Sequence, residues 1–356
     1  MATPKFANVK GSQFHQELKR RVQQYFQDKK KPMSGNATLY TKAIILFLIY
    51  FALYVHLVFF TPPTWLAILE CILMGGATAA IGFNVMHDGS HGSFSNSKMA
   101  NKLAAFSANI LGASGIMWNN KHNIIHHTYT NIDGVDDDIE IKPLLRMCST
   151  QKKRWIHQFQ HIYVWFLYTL LLLVWLFVSD YTKYFRQKIG DLPLKKMSTW
   201  DHFAFWFAKV MYLFMMIIIP IYLLGFVSWL VGFLVMTMFS GFVLSIVFQL
   251  AHTVEVTEFP TPAEETNKLE AEWAIHQVQT TANFATRNKL YTWLLGGLNF
   301  QIEHHLFPKI SHVHYPAISK IIKQTCQEFG IPYHEYPKMR QAIASHTNYL
   351  RKMGKE

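Results

Sequence analysis

The chain has 356 residues, of which 51% are hydrophobic, 15% aromatic and only 16% charged. A charged fraction so far below the about 25% of soluble domains excludes an ordinary soluble enzyme. The apolar residues gather in runs of about 18 to 24 residues, the length that crosses a bilayer. The net charge of +12 therefore fits basic flanks of membrane segments better than a nucleic-acid surface. The sequence predicts an integral membrane protein.

Apolar runs divide the chain into three parts. Residues 1–40 form a basic amphipathic N-terminal segment without the character of a signal peptide. Residues 41–340 form the main domain, and 341–356 form a polar C-terminal tail. The main domain contains four predicted spans, at about 42–61, 65–86, 203–224 and 228–251. The apolar run at 162–178 is predicted to be membrane-associated, and the small-residue stretch 103–117 to be buried or interfacial.

The distribution of Lys and Arg orients these runs. Basic residues precede the first span, whereas the links between the first and second and between the last two spans carry no charge. Cytoplasmic loops are enriched in Lys and Arg, so both links are predicted to lie outside. Basic residues flank 162–178 on both sides, so it is expected to dip into the membrane or lie along it. The fold is predicted to be all-α, with four transmembrane helices in two hairpins and a cytosolic helical cap. Both termini are expected to be cytoplasmic.

Four polar clusters lie at the predicted inner ends of the spans. They are HDGSH, HNIIHH, QLAHTVE and QIEHH, and they contain His87, His91, His122, His126, His127, His252, Gln301, His304 and His305. Spacings of i, i+3 and i+4 place side chains on one face of a helix. Ionisable groups close to lipid are costly and usually mark function. We expect these clusters to converge on one membrane face.

Eight histidines exceed what a single tetrahedral ion takes. With help from Gln301 they suit two ions, each with about four or five ligands. Imidazole serves Zn, Cu, Fe and Ni, so residue type alone does not choose the metal. Thiolate ligation is disfavoured, because Cys71, Cys148 and Cys326 are isolated. The other ten histidines are expected at surface, interfacial or packing positions, with His276 the one closest to a role near the site.

The sequence resembles the membrane-bound, histidine-box fatty acyl desaturases. HDGSH, HNIIHH and QIEHH resemble their three boxes, and the leading Gln301 is typical of the front-end branch, which desaturates between an existing double bond and the carboxyl end. The resemblance covers about residues 40–340, and bacterial linoleoyl-CoA desaturase-like proteins are the nearest likeness. It implies a non-haem di-iron centre with His252 completing the ligands. It also implies oxygen as co-substrate and a cis double bond introduced into an acyl-CoA or acyl-lipid.

The resemblance also implies a source of two electrons. Eukaryotic front-end enzymes often carry a fused cytochrome b5 domain with a His-Pro-Gly-Gly signature, which does not occur here. A separate donor, a ferredoxin or a cytochrome b5, is therefore expected. A bacterial inner membrane is the expected location.

Several polar residues near the boxes are candidates to support the ligands or the substrate. Metal-bound histidines usually donate their second N–H to a carboxylate or carbonyl, and a lysine at the entrance would attract a CoA phosphate. The candidates are Asp88, Lys121, Asp136, Asp138, His276, Asn299 and Glu303. The small residues of GGATAAIG (75–82) would either border an acyl channel or pack closely against another helix.

Other functions use similar residues. A hydroxylase, a ketolase or a sphingolipid desaturase would share the boxes and differ in product. A membrane zinc hydrolase would use metal-bound water and no reductant. A metal transporter or sensor would place its ligands inside the span bundle, whereas these histidines lie at the span ends.

Overall fold

A computed structural model describes residues 3–7 and 13–356, which are helical over most of their length. The helices are α1 (Gln13–Lys29), α2 (Ala37–Phe60), α3 (Thr64–His91), α4 (Lys98–Ile110), α5 (115–129), α6 (Trp155–Thr169), α7 (Leu171–Arg186), α8 (Thr199–Leu224), α9 (Phe226–His252), α10 (Trp273–Gln279), α11 (Lys289–Leu294), α12 (Gln301–Leu306), α13 (Tyr315–Glu328) and α14 (Met339–Lys355). Two short strand pairs complete the fold: antiparallel β1 (Lys188–Ile189) and β2 (Leu192–Pro193), and parallel β3 (Asn283–Phe284) and β4 (Glu335–Tyr336).

Four of these helices are long and apolar enough to cross a membrane. They are α2, α3, α8 and α9, with 24, 28, 26 and 27 residues. The prediction of four such helices is confirmed. Helices α3 and α9 extend beyond both predicted bounds, whereas α2 and α8 begin earlier than predicted, at Ala37 and Thr199. Residues 61–63 join α2 to α3, and Gly225 alone separates α8 from α9. Gly225 has φ +80°, a conformation that glycine adopts without the steric cost of a side chain.

The centre of the bundle is the contact between α3 and α9. A Cβ on Gly75 would lie 2.5 Å from the carbonyl oxygen of Met236, so only glycine allows this approach. The α3 span is 61% buried and the α9 span 44% buried, against 22% for α2 and 28% for α8. At Gly75, the GGATAAIG stretch therefore packs closely against another helix. The outer helices α2 and α8 expose most of their apolar surface.

The apolar run predicted to be membrane-associated, 162–178, lies across a bend. Helices α6 and α7 meet at Leu170 at an angle of 61°, as in a broken span or a re-entrant segment. Helix α4 contains residues 103–110 of the stretch 103–117, which is predicted to be buried or interfacial. It buries Ala104 and Ala108 and exposes Leu103 and Phe106.

The two terminal segments pack on the rest of the chain through amphipathic helices. In α1, Phe14, Leu18, Val22 and Phe26 are buried at helical spacing and join the core of α13. Residues 341–356, predicted to be a polar tail, belong almost wholly to α14. Its buried face contacts α6, with Leu350 fully buried.

A buried ion pair connects α8 to α7. Lys209 donates to Asp180 at 2.7 Å and to the carbonyl of Gly112 at 2.7 Å, and the two side chains are only 5% and 1% exposed. Replacing Lys209 with Met leaves the Asp180 charge buried without its partner. We expect this to lower the free energy of unfolding by about 3–5 kcal/mol, measured by thermal unfolding in detergent.

The double variant Lys209→Met/Asp180→Asn is the control for that prediction, because it removes both charges. It should be more stable than Lys209→Met alone. Equal losses in the two variants would show that the pair is not the cause.

Candidate metal centre

All eight histidines of the four clusters converge at one end of the span bundle. His87 and His91 stand on the last turn of α3, and His252 ends α9. Helix α5 brings three further histidines and α12 brings two. The ring centroids of His127 and His305, from these two helices, are 4.4 Å apart. The span ends and the polar segments between them therefore build one shared site.

The ligand nitrogens form two groups joined by a bridge. The first group is His87, His91, His122 and His304, and the second is His126, His252 and His305. His127 lies with His304 and His305 and joins the two. Within each group the candidate ligand atoms lie within 4.8 Å of one another. These groups fit two neighbouring metal ions.

Adjacent histidines serve different groups because their rings diverge. His126 and His127 meet at 80°, and His304 and His305 at 84°. The helical turn Asn120–His126 is wider than an α-helical turn, and the rings of His122 and His126 within it stack 5.3 Å apart. Such π-type turns are frequent at functional sites.

The second group has one nitrogen held and the other free on every ring. Nδ1 donates to Asp136 from His126 (3.0 Å), to the Thr280 carbonyl from His252 (3.2 Å) and to Gln277 from His305 (2.8 Å). Within the described chain, the buried Nε2 atom of each of these three rings has no hydrogen-bond partner. An unpaired buried nitrogen is costly. A bound metal ion would satisfy all three, so these residues fit a metal.

The first group also presents ring nitrogens that could bind a metal. Nε2 of His87 faces Nε2 of His304 at 3.1 Å, and Nε2 of His91 has no partner among the residues that the structure covers. Tyr315 contacts Nδ1 of His304 at 3.2 Å, which directs its Nε2 towards the centre.

Burial lowers the pKa of four of the five site histidines outside the spans, whereas, against the effect of burial, the carboxylates of Asp136 and Asp138 raise the pKa of His126. Burial lowers the pKa of His122 and His304 well below the usual value, and the neighbouring histidines lower each pKa further. The same holds for His127 and His305. Metal ligation requires neutral imidazole. The site therefore holds these four side chains in the protonation state that binds a metal.

Of the predicted supporting carboxylates, Asp136 and Asp138 closely contact a histidine of the two metal-binding groups. Both approach Nδ1 of His126, at 3.0 and 3.2 Å. Asp88 lies 3.9 Å from His87 and makes its shorter contacts with Ser311 (2.7 Å) and His312 (3.0 Å).

The other predicted supporting residues have different partners. Glu303 contacts Asn283 and Tyr333, and burial raises its pKa to about 7. Lys121 forms ion pairs with Asp137 and Asp138. Few contacts connect the histidine cluster with Asn299, with His276 or with the candidate ligand Gln301. Asn299 donates to Thr292, His276 is buried beside Phe6, and Gln301 is buried with its Nε2 unpaired among the described residues.

The residues that touch the site include four that are not predicted from the sequence and that contact it through polar groups. Gln277, Thr280, Tyr315 and His312 contact His305, His252, His304 and Asp88 respectively. His312 is only 4% exposed, which among the expected surface, interfacial and packing positions is a packing position. The pairing of QVQT with the third box depends on α10 packing against α12, which no local spacing reveals.

A cavity of about 380 Å³ adjoins the centre at His122. Trp118 and Phe248 line it beside His122, and Leu167 and Leu171 line it at the bend between α6 and α7. We call it the tail cavity. It is predominantly apolar and suits an aliphatic chain.

Two histidine groups at one end of a bundle of membrane-length helices, beside a mainly apolar cavity, are compatible with a metal-binding membrane protein that holds an apolar chain. The sequence matches the fatty acid desaturase family over residues 63–337. It is 36% identical to an sn-1 linoleoyl-lipid 6-desaturase of Synechocystis sp., over 99% of this chain and 98% of that protein. An sn-1 linoleoyl-lipid 6-desaturase of Arthrospira platensis is 35% identical, over 99% and 95%. An acyl-lipid (8-3)-desaturase of Physcomitrium patens is 35% identical, over 99% and 74%.

The chain belongs to the fatty acid desaturase family. It is an oxygen-dependent oxidoreductase of the front-end type, as its third box QIEHH indicates.

Proposed function

We propose that this enzyme introduces a cis double bond into an acyl chain carried by a membrane lipid, between an existing double bond and the carboxyl end. The convergence of eight histidines beside the tail cavity is the observation that carries the proposal. The acyl-lipid carrier is supported by the two 6-desaturases, which match this chain over nearly their whole length. Their substrate, as named, is a linoleoyl-lipid.

We propose iron as the metal, with His87, His91, His122 and His304 holding one ion and His126, His252 and His305 the other. His127 would join either ion, and Gln301 is a further candidate ligand. A di-iron centre supplies oxygen chemistry able to break an unactivated C–H bond, which side-chain acids and bases cannot do. The nitrogen-rich ligand set is compatible with iron.

The protein's own contribution is to position the chain and exclude water. Trp118 and Phe248 form walls beside His122 and would hold two neighbouring methylenes close to the metals. The apolar lining towards Leu171 would take the methyl end of the chain. A cis product bends the chain at the new double bond, and the bend between α6 and α7, where Leu167 and Leu171 line the cavity, would shape the path of the chain beyond that point.

The membrane arrangement is part of the same proposal. The pairs α2–α3 and α8–α9 are two hairpins, α6–α7 is membrane-associated, and the histidine-bearing end faces the cytosol. The domain limits 41–340 follow the apolar runs, and the cytoplasmic termini follow the distribution of Lys and Arg. A bacterial inner membrane is part of the proposal, and the two electrons would come from a separate ferredoxin or cytochrome b5.

The direct test uses purified protein in nanodiscs loaded with a linoleoyl glycerolipid, oxygen and a reduced ferredoxin. Mass spectrometry of the released acyl chains should find one additional double bond on the carboxyl side of the first existing one. Omission of oxygen or of the donor should abolish it. A hydroxylated chain would identify a hydroxylase, and conversion of acyl-CoA alone would overturn the lipid carrier.

The tail cavity gives a prediction about chain length. Leu171→Trp should shorten the cavity, so kcat/KM for an 18-carbon chain should fall about 10-fold relative to a 14-carbon chain, in the range for a few misplaced methylenes. Product ratios from mixed substrates measure this. Phe177→Trp on the same helix is the control, because Phe177 is 43% exposed and does not line the cavity. An unchanged ratio in Leu171→Trp would remove Leu171 from the substrate path.

A further inference from the structure

A second cavity reaches the metal centre from another side. It has a volume of about 440 Å³ and lies between α4, α5 and the first turns of α8. His91 lines it, together with Asn109, Asn119, Trp200 and Ala204. We call it the side cavity. His91 belongs to the first histidine group, whereas the tail cavity meets that group at His122.

The surface beside the side cavity is apolar. On α4, Met99, Leu103, Phe106 and Ile110 are 64%, 66%, 39% and 42% exposed, and their spacing places them along one side of the helix. The opposite side of α4 packs so closely on the end of α3 that a Cβ on Gly89 would lie 2.6 Å from Ala104 Cβ. A stripe of this kind on an amphipathic helix fits the membrane interface.

The stripe is continuous with a membrane span. Helix α4 packs against α8, whose first turns expose Trp200 (69%) and Phe203 (54%). Tryptophan is enriched at the level of lipid headgroups. The side cavity therefore opens where a helix along the interface meets a helix that enters the bilayer. A cavity that opens at such a junction would face membrane lipid.

The polar groups of the side cavity suit an ester and a small headgroup. Asn109 accepts from the Gly115 amide through Oδ1, and Asn119 accepts from Asn123. Among the described residues neither amide NH₂ group has an acceptor, which leaves two donor groups for carbonyl or hydroxyl oxygens. Of the described residues that line the cavity, Lys102 alone is a lysine or arginine, whereas a nucleotide carrier with several phosphates would call for more positive charge.

We propose that the side cavity is a lateral opening through which a bilayer glycerolipid presents its acyl ester to the metals. The inference rests on the proposed acyl-lipid substrate. The ester region lies among Asn109 and Asn119, the first few carbons pass His91, and the rest of the chain continues into the tail cavity. A polar anchor for the ester close to the metals fixes the position of the new double bond relative to the carboxyl end of the chain. This gives front-end selectivity a physical basis in this chain.

The test combines a substitution that fills the side cavity with photolabelling. Ala204→Trp places a large ring in the side cavity, while Val210→Trp places it on the lipid-facing side of the same helix, where Val210 is 51% exposed. The probe is a diacyl glycerolipid with a diazirine next to the ester carbonyl. In wild-type protein it should label the segment 101–119. Ala204→Trp should reduce that labelling and acyl-lipid turnover at least 10-fold with unchanged iron content, and Val210→Trp should change neither.

The outcomes separate this inference from the proposed function. Acyl-lipid turnover by the wild type tests the function by itself, and the labelled peptide tests the opening. Turnover with labelling confined to residues 137–144, at the other cavity, would overturn the lateral opening and leave the function standing. Normal turnover in Ala204→Trp would overturn it as well. Labelling of 101–119 without any turnover would support the opening and count against the desaturase assignment.

Discussion

Replacing His304 and His305 together with alanine should remove both metal ions and lower desaturation by more than about 100-fold, beyond the loss expected when only a residue supporting a ligand is changed. His304 belongs to the first histidine group, His305 to the second, and both belong to the bridging set with His127. The double variant therefore removes a ligand from the first group, from the second group and from the bridging set. Elemental analysis of detergent-purified protein should find about two irons per chain in the wild type and fewer than half an iron in the variant.

Single replacements sharpen this expectation. His91 lies in the first group alone and His252 in the second alone, so His91→Ala and His252→Ala should each lose mainly one ion. A suitable control is His346→Gln. His346 is fully buried, but it contacts Tyr168 and Thr253 rather than the cluster. Its variant should retain both irons.

The alternative results are equally informative. Stoichiometric zinc without iron, in protein expressed with ample iron, would favour a hydrolase. Folded wild-type protein that binds no metal after reconstitution would overturn the metal centre. Circular dichroism and gel filtration establish that each variant is folded.

The sequence predicts the histidine boxes well because each is a local feature. The side chains of HDGSH lie within one helical turn, and Lys and Arg outside the boxes orient the spans that carry them. The partition of ligands into two groups is partly local as well. It follows from the divergence of adjacent rings in HNIIHH and QIEHH, which helix geometry fixes.

The partners of the ligands depend on tertiary packing and were missed. Gln277 is 28 residues from His305, and His312 is 224 residues from Asp88. No periodicity connects such positions. The packing of the C-terminal segment is hard to predict for a different reason. Its apolar residues, among them Ala342, Tyr349 and Leu350, have helical spacing but form no long run, so a search for apolar runs passes over them.

The second large effect is expected from Asp136, whose carboxylate positions His126. One oxygen lies 3.0 Å from Nδ1 of His126 and 2.9 Å from the amide nitrogen of Asn131, and the other lies 3.1 Å from the amide nitrogen of Asp138. Both oxygens accept hydrogen bonds. An asparagine has only one oxygen, so in Asp136→Asn an NH₂ group must face a donor in either orientation.

We therefore expect Asp136→Asn to turn the His126 ring or to change which nitrogen carries its proton. Iron affinity at the second histidine group should fall about 10–100-fold, with a similar fall in turnover. Chelator competition followed by elemental analysis measures the affinity, and one iron should leave well before the other.

Asp137→Asn is the matched control for Asp136→Asn. Asp137 is the next residue, and its carboxylate pairs with Lys121 and Lys183, not with a histidine. Removing its charge should weaken a partly exposed ion pair and leave iron affinity within about 3-fold of the wild type, because such pairs contribute only about 0–1 kcal/mol. Equal losses in both variants would mean that the negative charge of the 136–138 segment, and not the contact with His126, holds the metal. A loss in Asp136→Asn alone would assign the effect to the orientation of that ring.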